Sequence, residues 1–186
     1  MPLPAAGPRE EVHVRHIELR GYRRADGLFE IDGRINDRKS QAFVTHPPER
    51  LVREGEYLHD MQVRVVVDEH LLVHEAMAVS DATPYGICPQ AAAVVAELKG
   101  ARIAPGWRGE VLKRVGGVRG CAHIAELLVT VGAAAYQTLT EERRKHPEPR
   151  NTKGVPLQID SCYAFARHRE VVAQVWPEQA AAGRHE

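Results

Sequence analysis

Cysteine and histidine are the residues of this sequence whose types and positions suggest metal chemistry. Cys88 precedes Pro89 at a predicted junction between a strand and a helix, and Cys121 begins a long predicted helix, with His123 two residues later. The N-terminus of a helix carries partial positive charge, which favours the thiolate form of a cysteine. Thiolate and imidazole ligands together suit zinc or iron. With His59, just before a predicted core strand, these residues form a predicted metal site: His59, Cys88, Cys121 and His123.

Each of these residues also has an ordinary structural interpretation. A single cysteine is most often a small buried apolar residue. The chain contains ten histidines, so a histidine near a cysteine is not unusual. The candidate ligands are far apart in sequence and lack the closely spaced cysteine pairs of structural zinc sites. Spacing alone therefore leaves both interpretations open, and Cys162 is interpreted as core packing.

A second group of candidate residues surrounds the first predicted hairpin and is rich in charge: Tyr22, Arg23, Arg24, Asp26, Asp32, Asp37, Arg38 and Lys39. One interpretation is a solvated, charged hairpin. The other is a pocket for a small anion, because the guanidinium group of arginine binds carboxylate or phosphate in a bidentate manner. Tyr22, Arg23 and Arg24 would then act on an anionic substrate. Asp60, next to His59, would serve as a general base or orient a metal ligand.

Composition limits the other classes of function. Twenty-five basic residues balance twenty-five acidic ones, which argues against nucleic acid as a partner. No run of about 20 apolar residues is present, and the first residues do not have the pattern of a secretory signal. We therefore expect a cytoplasmic protein that does not span a membrane. Three cysteines, an odd number, argue against a disulfide framework.

The elements that must position the candidate residues are strands in the first half of the chain and helices in the second. Alternation and β-branched residues predict two hairpins, whose strands cover 12–22, 28–35, 61–68 and 71–80. Helices are predicted over 89–99, 107–115, 121–139 and 160–176. The third helix has an apolar stripe that should face a core: Ile124, Leu127, Leu128, Val131 and Ala135.

This order of elements predicts an α+β fold, an antiparallel sheet with helices on one face. We expect a flexible arm over 1–10, a single domain over 11–178 and a flexible tail over 179–186. The last predicted helix would pack Tyr163, Phe165, Val171 and Val175. The hairpin at the edge of the sheet allows a homodimer.

These residues give the chain a resemblance to two known families. The whole chain resembles a bacterial family described only as a domain of unknown function. The shared pattern consists of Gly21-Tyr-Arg-Arg-Ala-Asp-Gly-Leu28, His59-Asp-Met61, Cys88-Pro89 and Gly120-Cys-Ala-His-Ile124. This resemblance implies relatives but no established activity.

Residues 57–136 also resemble the iron–sulfur scaffold fold of IscU and NifU. The resemblance consists of Val63-Arg-Val-Val-Val-Asp68, Tyr85-Gly-Ile-Cys88, Leu98-Lys-Gly100, and a helix that follows Gly117-Val-Arg-Gly-Cys121 and contains Ala133-Ala-Ala-Tyr136. It implies an IscU-like core over 57–140 to which an N-terminal hairpin and a C-terminal helix have been added. The first cysteine of that family falls at or beside His59, and its aspartate matches Asp60.

The resemblance implies that the metal ligands converge at one end of the sheet. We expect a small-molecule metalloenzyme with hydrolytic or lyase chemistry that uses zinc or iron. An iron–sulfur cluster scaffold or metal carrier is the first alternative, because mixed histidine and cysteine ligation of clusters exists. A binding module without catalytic activity, with buried cysteines, is the second.

Overall fold

Alternating apolar residues form a four-stranded antiparallel sheet. Its strands, in their order across the sheet, are β1 (His13–Arg23), β2 (Phe29–Lys39), β5 (Tyr57–Val67) and β6 (Val73–Ala82). A short second sheet joins β3 (Phe43–Val44) to β4 (Leu51–Val52). The structure, a computed structural model, describes residues 3–47 and 50–182. Both predicted hairpins are confirmed, and Gly27 has the positive φ, 86°, that the first turn requires.

The helices follow the strands. A 3₁₀ helix covers Cys88–Leu98, where the sequence predicts an α-helix, and a short second one covers Gly117–Arg119. The α-helices are α1 (Trp107–Val115), α2 (Ala122–Thr138), α3 (Thr140–Arg143), α4 (Glu170–Val175) and α5 (Pro177–Ala182). Within the described part of the chain, none of these helices has the length and apolar character needed to cross a membrane.

The main core lies between the sheet and α2. Alternate residues of β2 and β5, among them Ile35 and Val63, point to this inner face and are buried. Every member of the predicted apolar stripe of α2 is also buried. The α+β fold with an antiparallel sheet is therefore confirmed.

Two glycines allow α2 to approach the sheet closely. A side chain at Gly33 in β2 would lie 3.2 Å from Cδ1 of Leu127, and one at Gly21 in β1 would lie 1.8 Å from Oγ1 of Thr138. Because α2 is held this near, the residues at its first turn come within reach of side chains at the ends of β2 and β5.

The chain divides into two compact units, residues 1–140 and 141–186, whereas the sequence analysis expects one domain over 11–178. Residues 3–10 contain no strand or helix. Residues 179–182 of the expected tail belong to α5, and 183–186 lie outside the described residues.

The helix predicted over 160–176 is wrong over its first ten residues. Asp160 has a φ of 62°, and its carboxylate accepts a hydrogen bond from the backbone N–H of Arg167, so side-chain bonding replaces a helical turn. Tyr163 is 77% exposed rather than packed. The core of the second unit, residues 141–186, consists of Ile159, Val172, Trp176 and Ala180, and Val155 and Phe165 pack against it.

Replacing Leu127 by alanine tests the contact between α2 and the sheet. Leu127 is fully buried against Gly33, so the Leu127→Ala variant should lose about 3 kcal/mol of unfolding free energy in urea denaturation. Leu112→Ala is the matched control, because Leu112 is 45% exposed on α1, and it should lose no more than about 0.5 kcal/mol. Equal losses in the two variants would contradict this packing.

Candidate metal centre

A buried carboxylate, that of Asp37 in β2, joins three strands at one end of the sheet. Its side chain is 3% exposed. Arg15 of β1 donates two hydrogen bonds to it, from Nε to Oδ1 (2.8 Å) and from Nη2 to Oδ2 (2.9 Å). Nε2 of His13 in β1 lies 3.0 Å from Oδ1, and Nδ1 of His59 in β5 lies 2.9 Å from Oδ2. We call Asp37, Arg15, His13 and His59 the Asp37 network.

Strand register places these residues together. Asp37 is paired with Arg15 on one side and with His59 on the other. The pairing of β2 with β5 shifts between Asp37 and Arg38, and the pairing of β5 with β6 shifts between Asp60 and Met61. Such irregularities turn the side chains beside them and are common next to functional sites.

Helix α2 adds a second histidine to this end of the sheet. The ring centroids of His59 and His123 are 3.9 Å apart, with an angle of 35° between the ring planes. Asp37, His59 and His123 each offer a ligand atom, and these atoms all lie within 4.8 Å of one another. Arg15 also reaches α2, since its Nη1 donates to Oε2 of Glu126 at 3.1 Å.

Cys121, the residue that precedes α2, contacts the same region. Its Sγ lies 3.9 Å from Nδ1 of His123 and 3.8 Å from Sδ of Met61, a methionine of β5 that is 1% exposed. Thiol, thioether and imidazole groups therefore meet beside the Asp37 network.

The charges of the Asp37 network favour an ionised carboxylate. Burial by itself would raise the pKa of Asp37, but the hydrogen bonds from Arg15, His13 and His59 outweigh it and lower the pKa to about 2. Burial and the nearby His123 lower the pKa of His59, and the hydrogen bond to Asp37 opposes them only in part. His59 is therefore a neutral imidazole at neutral pH, the form that binds metal ions.

The surroundings of Cys121 favour its thiolate. Burial alone would raise the pKa of this thiol. The contact with His123 and the backbone N–H groups of Ile124 and His123 at the start of α2 outweigh burial and lower the pKa. The helix start thus supplies the stabilisation of a thiolate that the sequence analysis expects at this position.

Cys88 lies at the start of the 3₁₀ helix and lines a cleft with Cys121. The cleft has a volume of about 390 Å³, and we call it the thiol cleft; its lining is Ile87, Cys88, Gln90, Ala91, Val118, Arg119, Gly120 and Cys121. Arg119 forms an ion pair with Glu97. Among the residues that the structure describes, no three-ligand group within 4.8 Å contains either cysteine. The structure therefore brings His59 and His123 together and leaves Cys88 to one side.

Asp60 does not lie beside the predicted metal ligands, where the sequence analysis expects it to act as a general base or to orient a ligand. Successive residues of a strand point to opposite faces of the sheet. His59 points to the inner face, and the carboxylate of Asp60 accepts two hydrogen bonds from Arg34, at 2.8 and 2.6 Å. Asp37, two residues after the inward-facing Ile35, occupies the place expected of Asp60.

Tyr22, Arg23 and Arg24 also lie away from this site. The register pairs Tyr22 with Glu30 and Arg23 with Phe29, at the end of β1 opposite Arg15. Eight residues of strand span about 26 Å. Arg24 forms an ion pair with Asp26, and the guanidinium carbon of Arg23 lies 5.1 Å from the centre of the Phe29 ring. The structure therefore does not bring these three residues to the candidate metal centre.

His13, Arg15 and the role of Asp37 are not among the features predicted from the sequence. The alternation of inward-facing and outward-facing residues along a strand provides a signal that identifies them. Since Ile31 and Ile35 face the core, Asp37 must face inward too, and an inward carboxylate requires a partner. His13 and Arg15 share a face of β1 with Leu19, which packs against the core.

The fold and the site define an α+β protein with a histidine, cysteine and carboxylate centre between a sheet and the first turn of a helix. A family profile described as "Protein of unknown function (DUF2889)" matches residues 13–137, from the first residue of β1 almost to the end of α2. The chain belongs to this family. No curated protein and no solved structure matches the chain.

The stability of the protein should depend on the ionisation of Asp37. Because its folded-state pKa of about 2 lies below the value of about 3.9 in unfolded chains, the stabilisation is present above pH 4 and is lost as the pH falls toward 2. The loss amounts to about 2 kcal/mol. Asparagine at position 37 cannot ionise, so the Asp37→Asn variant lacks this stabilisation at every pH. The difference in unfolding free energy between the unmodified protein and the variant should therefore shrink by about 2 kcal/mol between pH 5 and pH 2.

This comparison uses urea denaturation at several pH values with a chelator present, so that metal binding does not contribute. Circular dichroism before each titration confirms that Asp37→Asn is folded. Stability curves of the two proteins that run parallel from pH 5 to pH 2 would contradict the ionised network.

Proposed function

We propose that the protein binds one transition-metal ion through His59, Cys121 and His123 and uses it to catalyse a hydrolytic or lyase reaction on a small anionic molecule. The observation that carries this proposal is the meeting of His59 and His123, with the buried carboxylate of Asp37, in a group whose ligand atoms lie within 4.8 Å. The two imidazoles come from different elements and are half-buried, and neutral imidazole is the commonest metal ligand in proteins.

The separation between Cys121 and His123 is close to that of two ligands that share an ion, whereas His59 must turn toward them to become the third, since in the described part of the chain no group of three ligand atoms within 4.8 Å includes Cys121. Metal bonds of about 2.3 Å to sulfur and about 2.0 Å to nitrogen place tetrahedral ligands about 3.6 Å apart. Sγ of Cys121 lies 3.9 Å from Nδ1 of His123. A small rotation of either side chain brings the pair to one ion. Cysteine and two histidines are a ligand set that suits zinc or iron.

Asp37 serves this site by orienting His59 rather than by binding the ion. Both of its oxygens already accept hydrogen bonds from Arg15. Direct coordination would break that bidentate pair inside the protein, at a cost of several kcal/mol. With Nδ1 of His59 directed at Asp37, Nε2 is left to coordinate, which is the common arrangement of carboxylate, histidine and metal.

The thiol cleft offers a place for the substrate. Its volume of about 390 Å³ falls in the range of small-molecule sites. Three protein ligands leave a fourth position for water or substrate, where an ion polarises a carbonyl or lowers the pKa of a bound water. Arg119 of the cleft supplies a cation for an anionic group, the task expected earlier of Arg23 and Arg24.

The metal content of purified protein tests the site. Protein grown without added metal should contain about one zinc or iron per chain by elemental analysis, and Cys121→Ser and His59→Asn should lower this content at least about tenfold. His16→Asn is a matched control, because His16 lies on β1 at the opposite face of the sheet, and should retain the metal. Folded protein that is free of metal and has no affinity for zinc or iron would contradict the proposal and favour cysteines that are merely buried.

A second candidate function is supported by Cys88. Since Cys88 and Cys121 line the same cleft, they could hold an iron–sulfur cluster, as the resemblance to the IscU and NifU scaffolds implies. The variant Cys88→Ser separates the two functions. It should keep a mononuclear ion held by His59, Cys121 and His123. Brown colour after anaerobic reconstitution, lost in Cys88→Ser, would favour the scaffold instead.

Catalysis is tested at Arg119. Metal-loaded protein is assayed against small carboxylate-bearing esters and 2-hydroxy acids, for hydrolysis and for loss of water, alongside neutral esters. For any substrate that reacts, Arg119→Gln should raise KM about tenfold for the anionic compound and leave the neutral ester unchanged, because a charge-assisted contact to a substrate is worth about 1.5 kcal/mol.

Arg64→Gln is the control for this experiment. Arg64 is also an arginine paired with a carboxylate, that of Asp32, but it lies on the outer face of the sheet. Its KM values should equal those of the unmodified protein. Equal effects of the two substitutions, or none at Arg119, would exclude the thiol cleft as the substrate site.

A further inference from the structure

Met61 places a buried thioether beside the proposed metal ligands. It lies on the inner face of β5, two residues after His59, and is 1% exposed. Its Sδ lies 3.8 Å from Sγ of Cys121. The sulfur of Met61 thus lies in contact with a second sulfur at the edge of the core. This contact has a chemical consequence for the choice of metal.

Three possible metal donors meet at this point: the thiolate of Cys121, the thioether of Met61 and the imidazole of His123. Sγ of Cys121 is 3.8 Å from the sulfur of Met61 and 3.9 Å from Nδ1 of His123. Metal–sulfur bonds of about 2.3 Å place two sulfurs on one three-coordinate ion about 4 Å apart. The sulfur–sulfur distance is therefore already that of two ligands on a single ion.

Thiolate and thioether ligands select soft ions. Zinc accepts thiolate and imidazole but is rarely bound by methionine, whereas Cu(I) is bound well by cysteine and methionine. Met61 belongs to the same buried apolar cluster as Ile35 and Ile124, so its side of the site offers a thioether rather than the carboxylate oxygens that harder ions prefer.

We propose that this site prefers Cu(I), held by Cys121, Met61 and His123. The inference rests on the proposed metal centre and adds Met61 as a ligand that neither zinc nor iron would need. With Cu(I), Met61 takes the place that His59 holds in the proposed zinc or iron site, so the ion is three-coordinate and His59 stays beside His123, with ring centroids 3.9 Å apart. Binding involves no change of oxidation state: the ion enters as Cu(I), and the thiol of Cys121 releases its proton.

Anaerobic competition experiments test the preference. The affinity for Cu(I) is measured against bathocuproine disulfonate and the affinity for Zn(II) against a chromophoric chelator, with the full chain. Met61→Leu keeps the volume of the side chain, a change that cores tolerate well. It should weaken Cu(I) binding at least about tenfold, since even partners that only orient a ligand are worth about 10- to 100-fold in affinity. Its affinity for Zn(II) should stay the same.

Met77→Leu is the matched control. Met77 is 43% exposed on β6, and its substitution should change neither affinity. X-ray absorption of the Cu(I)-loaded protein provides a second measurement that does not depend on stability. It should count two sulfur ligands in the unmodified protein and one in Met61→Leu.

The outcomes separate this inference from the proposed function. If Met61→Leu binds Cu(I) as tightly as the unmodified protein, or if copper has a single sulfur ligand in both, Met61 is a core residue and the inference is overturned. Zinc binding that depends on His59 and Cys121 would still support the metal centre in that case. If the unmodified protein binds none of Cu(I), Zn(II) and Fe(II), both proposals fail together.

Discussion

The hydrogen bonds around the carboxylate of Asp37 are the interaction on which the arrangement of the site depends. One buried charge accepts bonds from β1 through Arg15 and from β5 through His59, and Arg15 extends the connection to Glu126 of α2. A buried carboxylate is stable only when its oxygens are satisfied, so the strands and the helix must keep this spacing. The constraint that satisfies Asp37 also determines where His59 points and how near it lies to the first turn of α2.

This constraint explains why the two faces of the sheet differ in chemistry. On the outer face, arginines and carboxylates form pairs that reach solvent, such as Arg20 with Glu18 and Arg64 with Asp32. Such pairs contribute little to stability and are readily hydrated. On the inner face, the Asp37 network lies at the end of the sheet near the first turn of α2, and the middle of this face is apolar. Sulfur and imidazole groups are thus collected at the border between a charged network and a core, where water is scarce and an ion would be bound strongly.

Much of the fold is predictable from local pattern. The hairpin at Asp26-Gly27, the strands that alternate and the apolar stripe of α2 follow from periods of 2 and 3.6 residues, which short windows of sequence contain. The 160–176 segment is not predictable in this way, because a side-chain bond from Asp160 competes with helix formation. Likewise, the candidate residues near α2 were recognised by type, at His59, Cys121 and His123, while the carboxylate was assigned to Asp60 because it is adjacent in sequence.

The sequence by itself determined the strand and helix order, the face of α2 that is buried and the residue types available for chemistry, since these depend on neighbours a few positions apart. Only the tertiary structure decided which of those residues meet. Strand register set Asp37 opposite His59 and sent Tyr22, Arg23 and Arg24 to the far end of the sheet. The height of α2 above Gly33 brought Cys121 to Met61. Contacts between residues 60 positions apart depend on the packing of whole elements, and no local pattern encodes that distance.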